Sequence, residues 1–155
     1  MAISTVYLRT IFYPENFPRT IEKSLAAAKV LKEEFGYDTI AFCGMSGAAI
    51  AFILAYELEL PLLCVRKKGD SSHFSSLNTN SVLEGNVDTK KYLIVDDFVA
   101  SGATVKYIME SIHQESPSAD CVALLMYAVT GNSDYYQSCL DKRAWKIIGC
   151  RPENS

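Results

Sequence analysis

The sequence predicts an α/β fold, a doubly wound parallel sheet flanked by helices. Two observations predict it. Short, almost wholly apolar runs alternate with segments of helical periodicity, which is the pattern of a parallel sheet covered on both faces. Two of the runs also end in loops of small residues, where ligands bind in sheets of this kind. The length of 155 residues suits one domain, so residues 1–155 are expected to fold as a single unit.

The elements follow in order. Over residues 18–35, Ile21, Leu25, Ala28, Leu31 and Phe35 recur three or four apart and share one helix face. Pro18 suits the first turn and Gly36 the position just past the end. "TIAFC" (39–43) is a strand, and "GAAIAFILAYEL" (47–58) is apolar almost all round, which predicts a buried helix. "LPLLCV" (60–65) is the next strand. Residues 66–91 are polar and rich in Ser, Asn and Gly, and are expected to form one long flexible loop. "YLIV" (92–95) is a strand. Residues 103–115 form a helix with Val105, Ile108, Met109 and Ile112 on one face. "CVALLMYAV" (121–129) is a strand, 133–143 a short helix and "WKIIGC" (145–150) a last strand.

Composition narrows the function. Hydrophobic residues make up 49% and charged ones 21%, enough for a packed core and too apolar for disorder. The net charge of −3 argues against a nucleic-acid partner. The five cysteines have no CxxC spacing, which disfavours a zinc site and fits buried thiols in a reducing compartment. No apolar run is long enough to span a membrane and the N-terminus lacks a signal pattern, so a cytoplasmic protein is expected.

"YLIVDDFVASGATV" (92–105) carries the chemistry. A buried strand ends in Asp96 and Asp97, two like charges that are costly to desolvate. They become useful against hydroxyl donors or a divalent cation. Ala100, Ser101, Gly102, Ala103 and Thr104 then lead into a helix, whose N-terminal N–H groups and dipole suit an anion. Carboxylates beside a phosphate cradle fit a sugar phosphate. The same stretch also fits a plain helix cap, with Ser101 or Thr104 as the capping residue. A phosphoacceptor receiver domain is disfavoured, because there the acidic pair comes early in the chain and later strands end in Asp and Lys.

These residues resemble the PRPP motif of the type I phosphoribosyltransferases: an apolar strand, two acids, two mostly apolar residues and a small Gly- and Thr-rich loop. "GMSGAAIAFILAYELELPLLCVRKKG" (44–69) is similar to that family's pyrophosphate loop, helix and next strand. The long polar segment stands where the family has its catalytic loop. The resemblance covers about residues 39–130 in order and spacing.

The resemblance implies 5-phosphoribosyl transfer from PRPP to a nitrogenous base, purine or pyrimidine, with release of pyrophosphate. Asp96 and Asp97 would bind the ribose hydroxyls directly or through Mg²⁺. Residues Ala100 to Thr104 would hold the 5′-phosphate. Met45, Ser46 and Gly47, with Arg66 and Lys67, would meet the pyrophosphate, and His73 in the mobile loop would donate to pyrophosphate or base. A small hood from the chain ends, with Phe12, Tyr13 or Trp145 as stacking candidates, would hold the base. The implied setting is nucleotide salvage by a homodimer.

Several residues depart from the pattern. Phe98 is bulkier than the usual aliphatic residue. Ala100 stands where 6-oxopurine enzymes carry an acid, and no Lys or Arg lies between Gly69 and Asp88, where orotate enzymes carry several. Two other functions stay open: a non-catalytic regulator that senses PRPP or a nucleotide with the same fold, and cleavage of a nucleoside phosphate at the same site.

Overall fold

The computed structural model describes residues 11–67, 81–97 and 103–128. It contains α1 (Phe17–Phe35), β1 (Thr39–Phe42), α2 (Gly44–Leu58), β2 (Leu62–Val65), β3 (Leu83–Gly85), β4 (Lys91–Asp96), α3 (Ala103–Glu115) and β5 (Asp120–Met126). The expected helix 133–143, the strand 145–150 and Trp145 lie outside the described residues.

The strands form one sheet in the order β3-β2-β1-β4-β5. Four are parallel, as the apolar runs require, and β3 pairs antiparallel with β2 at the edge. The fold is therefore α/β with a mixed sheet. The segment 66–91, expected as one loop, carries this short strand in its later part. From β1 the chain crosses through α2 to β2 on one side, and from β4 through α3 to β5 on the other. Right-handed crossovers in opposite directions place α2 and α3 on opposite faces of the sheet. The order turns between β1 and β4, which opens a crevice at their C-terminal ends.

Local chemistry explains the element bounds. Gly36, in the left-handed region at φ 66°, ends α1, and its N–H donates to the Lys32 carbonyl at 2.8 Å. Pro61 has no N–H to give, so β2 starts at Leu62, although the Pro61 carbonyl accepts from Ile40 at 3.0 Å. Helix α2 begins at Gly44, three residues earlier than its apolar pattern suggests. It is capped at the far end by Glu59 at φ 54°, with Leu60 N–H returning to the Ala55 carbonyl. Helix α3 has the expected bounds.

The core joins Leu31 and Ala28 of α1, Ile50 and Leu54 of α2, Ile108 and Ile112 of α3, and the β1, β4 and β5 strands. One expectation fails here. Helix α2 buries Ile50, Ala51, Leu54 and Ala55 but leaves Phe52 and Tyr56 exposed, because the sheet covers only one side of it. At the other end of the sheet, Asp38 ties β1 to β4. Its carboxylate accepts from the Thr89 hydroxyl at 2.7 Å and from the N–H groups of Lys90 and Lys91 at 2.9 and 3.1 Å.

Candidate functional site

Asp96 is the last residue of β4, and the strand carries it into the crevice with only 5% of its surface exposed. The sequence places the acids at a strand end, but the burial is a structural finding. Asp97 follows half-buried. Burial raises the Asp96 carboxyl to about 7, helped by a hydrogen bond shared with the Asp97 carboxyl and by repulsion from its charge. The Asp97 N–H, 2.8 Å from Asp96 Oδ1, and the Ser46 hydroxyl, at 3.4 Å, pull the other way without winning.

Ser46 reaches Asp96 because the N-terminus of α2 lies directly over the end of β4. Gly47 makes this possible. A Cβ there would stand 2.9 Å from the Val95 carbonyl oxygen and 3.0 Å from the Phe42 Cβ. Met45, Ser46 and Gly47 thus sit in the first helical turn rather than in a loop before it. Their N–H groups belong to the end of the helix that carries partial positive charge.

Lys67 adds a full charge. Its Nζ lies 3.5 Å from where a Cβ on Gly44 would stand, so the ammonium covers the start of α2. Arg66 precedes it just past the end of β2. Its guanidinium donates to the Ser81 carbonyl at 2.5 Å and faces Glu84 across 3.6 Å, which binds the β2 end to β3. The structure thus gives Arg66 a role in holding the edge strand. The Tyr107 hydroxyl of α3 donates to the Arg66 carbonyl at 2.8 Å and anchors the same point from the other side.

Tyr127, just past β5, was not legible as a site residue. Its hydroxyl donates to the Ser46 carbonyl at 2.5 Å and its N–H to the Asp96 carbonyl at 3.2 Å. It stands in an aliphatic strand end, where a buried tyrosine needs a partner for its hydroxyl. That need is the one signal the sequence offered. The Phe12 ring lies 6.4 Å from the Tyr127 ring and edge-on to Phe17 at 5.4 Å, which sets one expected stacking candidate at the rim of the crevice.

The crevice therefore joins Asp96, Asp97, Ser46, Gly47 and Lys67. Ala103 and Thr104 open α3, exposed, six and seven residues on from Asp97. Ala100, Ser101, Gly102 and His73 lie outside the described residues. Chemically the arrangement offers two carboxylates for hydroxyls or a hard cation, beside helix N–H groups and a cation for an anion. Among the described residues no group of three or more His, Cys, Asp or Glu could hold a metal by itself. Two adjacent carboxylates instead suit Mg²⁺, which keeps several oxygens from water or from substrate phosphates.

The comparisons agree with this geometry. The family model for the phosphoribosyl transferase domain matches residues 20–150. A transcriptional regulator, GfcR, of Methanococcoides burtonii is 32% identical over 92 residues, 57% of this chain and 44% of that protein. An orotate phosphoribosyltransferase of Pyrococcus horikoshii is 30% identical over 126 residues, 77% of this chain and 63% of that protein. The chain thus covers less than two thirds of either relative. The UMP synthase structure from Leishmania donovani superposes with a TM-score of 0.56 at 22% identity, over 75% of this chain and 23% of that one, and it shows the fold. The matched family spans most of the sequence, from the first helix through both strand-end sites, and the chain belongs to the phosphoribosyl transferase domain family.

Proposed function

We propose that the chain is a Mg²⁺-dependent phosphoribosyltransferase that transfers 5-phosphoribosyl from PRPP to a nitrogenous base and acts as a cytoplasmic homodimer in nucleotide salvage. The observation that carries the reading is the buried Asp96 beside Asp97 at the end of β4, facing the first turn of α2 and Lys67. No helix among the described residues is long and apolar enough to cross a membrane, which fits this setting.

In this reading the Asp96 and Asp97 carboxylates accept the ribose hydroxyls and fix the sugar. The start of α3 takes the 5′-phosphate. The N–H groups of Met45, Ser46 and Gly47, with Lys67, take the pyrophosphate. The bond from the anomeric carbon to the pyrophosphate oxygen breaks, and its electron pair leaves on that oxygen. A base nitrogen supplies the pair for the new bond and gives its proton to solvent. Lys67 and the helix N–H groups lower the barrier by meeting charge that grows on the leaving oxygen. Asp96 and Asp97 would hold Mg²⁺, which would neutralise part of the same charge. Arg66 stands next to Lys67 at the same strand end, where its guanidinium also donates to the Ser81 carbonyl and faces Glu84.

A second reading rests on one observation, the 32% identity to the regulator GfcR. There the same crevice senses PRPP or a nucleotide without turning it over. One experiment separates the two: calorimetric titration of PRPP with Mg²⁺, then pyrophosphate release against purines, pyrimidines and orotate. Binding with release for one base is the expected result. Binding without release for any base favours the sensor, and no binding sinks both.

A further inference from the structure

Helix α3 reaches across to the strand end that carries Lys67. Tyr107 stands one turn in from Ala103, where α3 begins, and on the same helix face. Its side chain is half-buried, and its hydroxyl donates to the Arg66 carbonyl at 2.8 Å. That carbonyl belongs to the peptide plane that joins Arg66 to Lys67. Strand β2 ends at Val65, so this plane lies past the regular ladder of the sheet. The Arg66 N–H belongs to the plane before and donates to the Val82 carbonyl at 2.8 Å, while its guanidinium meets Ser81 and Glu84. The approach to β3 thus holds Arg66 itself, and Tyr107 holds the peptide that leads on to Lys67.

Lys67 needs that precision. Its Cε lies 2.9 Å from where a Cβ on Gly44 would stand, closer than real Cβ contacts come. The lysine stem therefore fills the room that the missing side chain leaves. Lys67 is exposed, and a solvated lysine stem otherwise spreads over many rotamers. Seating it over Gly44 depends on where its backbone starts and which way it leaves the strand.

The geometry points to Tyr107 as a positioning residue for the pyrophosphate contact, acting through Lys67. This role rests on the crevice binding PRPP as proposed above. There the first turn of α3 takes the 5′-phosphate. The second turn, through Tyr107, sets the strand end that meets the pyrophosphate. One helix so fixes the spacing between the two phosphate sites of a single substrate. A tyrosine suits the task, because its hydroxyl brings no charge to an anion site and its ring freezes only two side-chain torsions over a long reach.

The test is calorimetric titration of PRPP, inorganic pyrophosphate and ribose 5-phosphate, each with Mg²⁺, into the full chain. The variants are Tyr107→Phe, Lys67→Gln, the two combined, and Ser116→Ala, each with a melting curve. Tyr107→Phe keeps the ring and removes only the hydroxyl. Ser116→Ala is the control, since it removes a hydroxyl that joins the opposite end of α3 to the Val87 carbonyl. Tyr107→Phe is expected to raise the pyrophosphate dissociation constant about three- to tenfold, the usual worth of one hydrogen bond, and to leave ribose 5-phosphate within about twofold. In the Lys67→Gln background the same change should have no further effect. Ser116→Ala should lower the melting temperature about as much and leave all three affinities unchanged. With PRPP bound by the wild type, equal pyrophosphate affinity in Tyr107→Phe overturns the inference alone. So does equal weakening of both smaller ligands, or a full effect in the absence of Lys67. A wild type that binds no PRPP overturns the crevice reading, and this role with it.

Discussion

The Tyr127 hydroxyl donates to the Ser46 carbonyl at 2.5 Å, across 81 positions of sequence. One bond thereby pins the first turn of α2 to the end of β5, with Asp96 between them. Tyr127→Phe keeps the ring and removes only the hydroxyl. It is expected to lower stability by about 1 kcal/mol, the usual worth of a buried hydrogen bond. It should also weaken PRPP binding several-fold, because Ser46 no longer holds its place over Asp96. Melting and calorimetry on the same variant check both. Unchanged PRPP affinity would mean that the turn holds itself.

Asp97 is half-buried, and substitution there leaves the core untouched. Asp97→Asn is expected to keep the melting temperature and cut pyrophosphate release at least about a hundredfold, through loss of a charge aimed at the sugar or its cation. Full turnover in the variant would remove Asp97 from the mechanism.

Asp38 gives the pH dependence. Partial burial raises its carboxyl, but hydrogen bonds from the Thr39 and Thr89 hydroxyls and from the Lys90 and Lys91 N–H groups outweigh this and hold it below the ordinary 3.8. An acid lowered in the folded state stabilises the fold above its unfolded value, and that stability is lost as pH falls through the folded value. Stability should therefore drop below about pH 4, and Asp38→Ala should flatten that limb. At neutral pH the same variant is expected to cost about 1–3 kcal/mol, since four donors lose their acceptor. Denaturant titrations at several pH values measure both effects. An acid limb as steep in the variant as in the wild type would assign it to other carboxylates.

Glu59 ends α2 in the left-handed region at φ 54°, which a side chain adopts at a cost. Glu59→Gly relieves the strain and keeps the cap hydrogen bonds. It is expected to raise stability by roughly 0.5–1 kcal/mol after glycine's own entropy loss. A lower melting temperature in the variant would show that the Glu59 side chain contributes more than its backbone loses.

The strands of the parallel sheet were legible because both their faces are covered, which leaves unbroken apolar runs such as "YLIV". Helices α1 and α3 were legible from periodicity and from Gly36. Strand β3 was not. Leu83, Glu84 and Gly85 are too few to show alternation, and only β2 makes them a strand. The start of α2 was hidden for a related reason: "GMSG" reads as a turn, and only its seat against Val95 and Phe42 makes it helical. The site divides in the same way. Residue type and place single out Asp96, Asp97 and Lys67, and the fold brings the start of α2 to the aspartates and to Lys67. The bonds from Arg66 to Ser81 and Glu84, and the tie from Tyr127, depend on neighbours distant in sequence.

The bonds around Arg66 reach beyond the edge strand. The Arg66 N–H donates to the Val82 carbonyl at 2.8 Å and its guanidinium to Ser81, so the chain leaves β2 and returns to β3 at one stapled point. Lengthening a connection between two fixed ends costs only the slow logarithm of loop closure, about 0.6 kcal/mol per doubling. The staple at Arg66 lets the connection between β2 and β3 change in length at that small cost while Leu63 stays paired with Gly85.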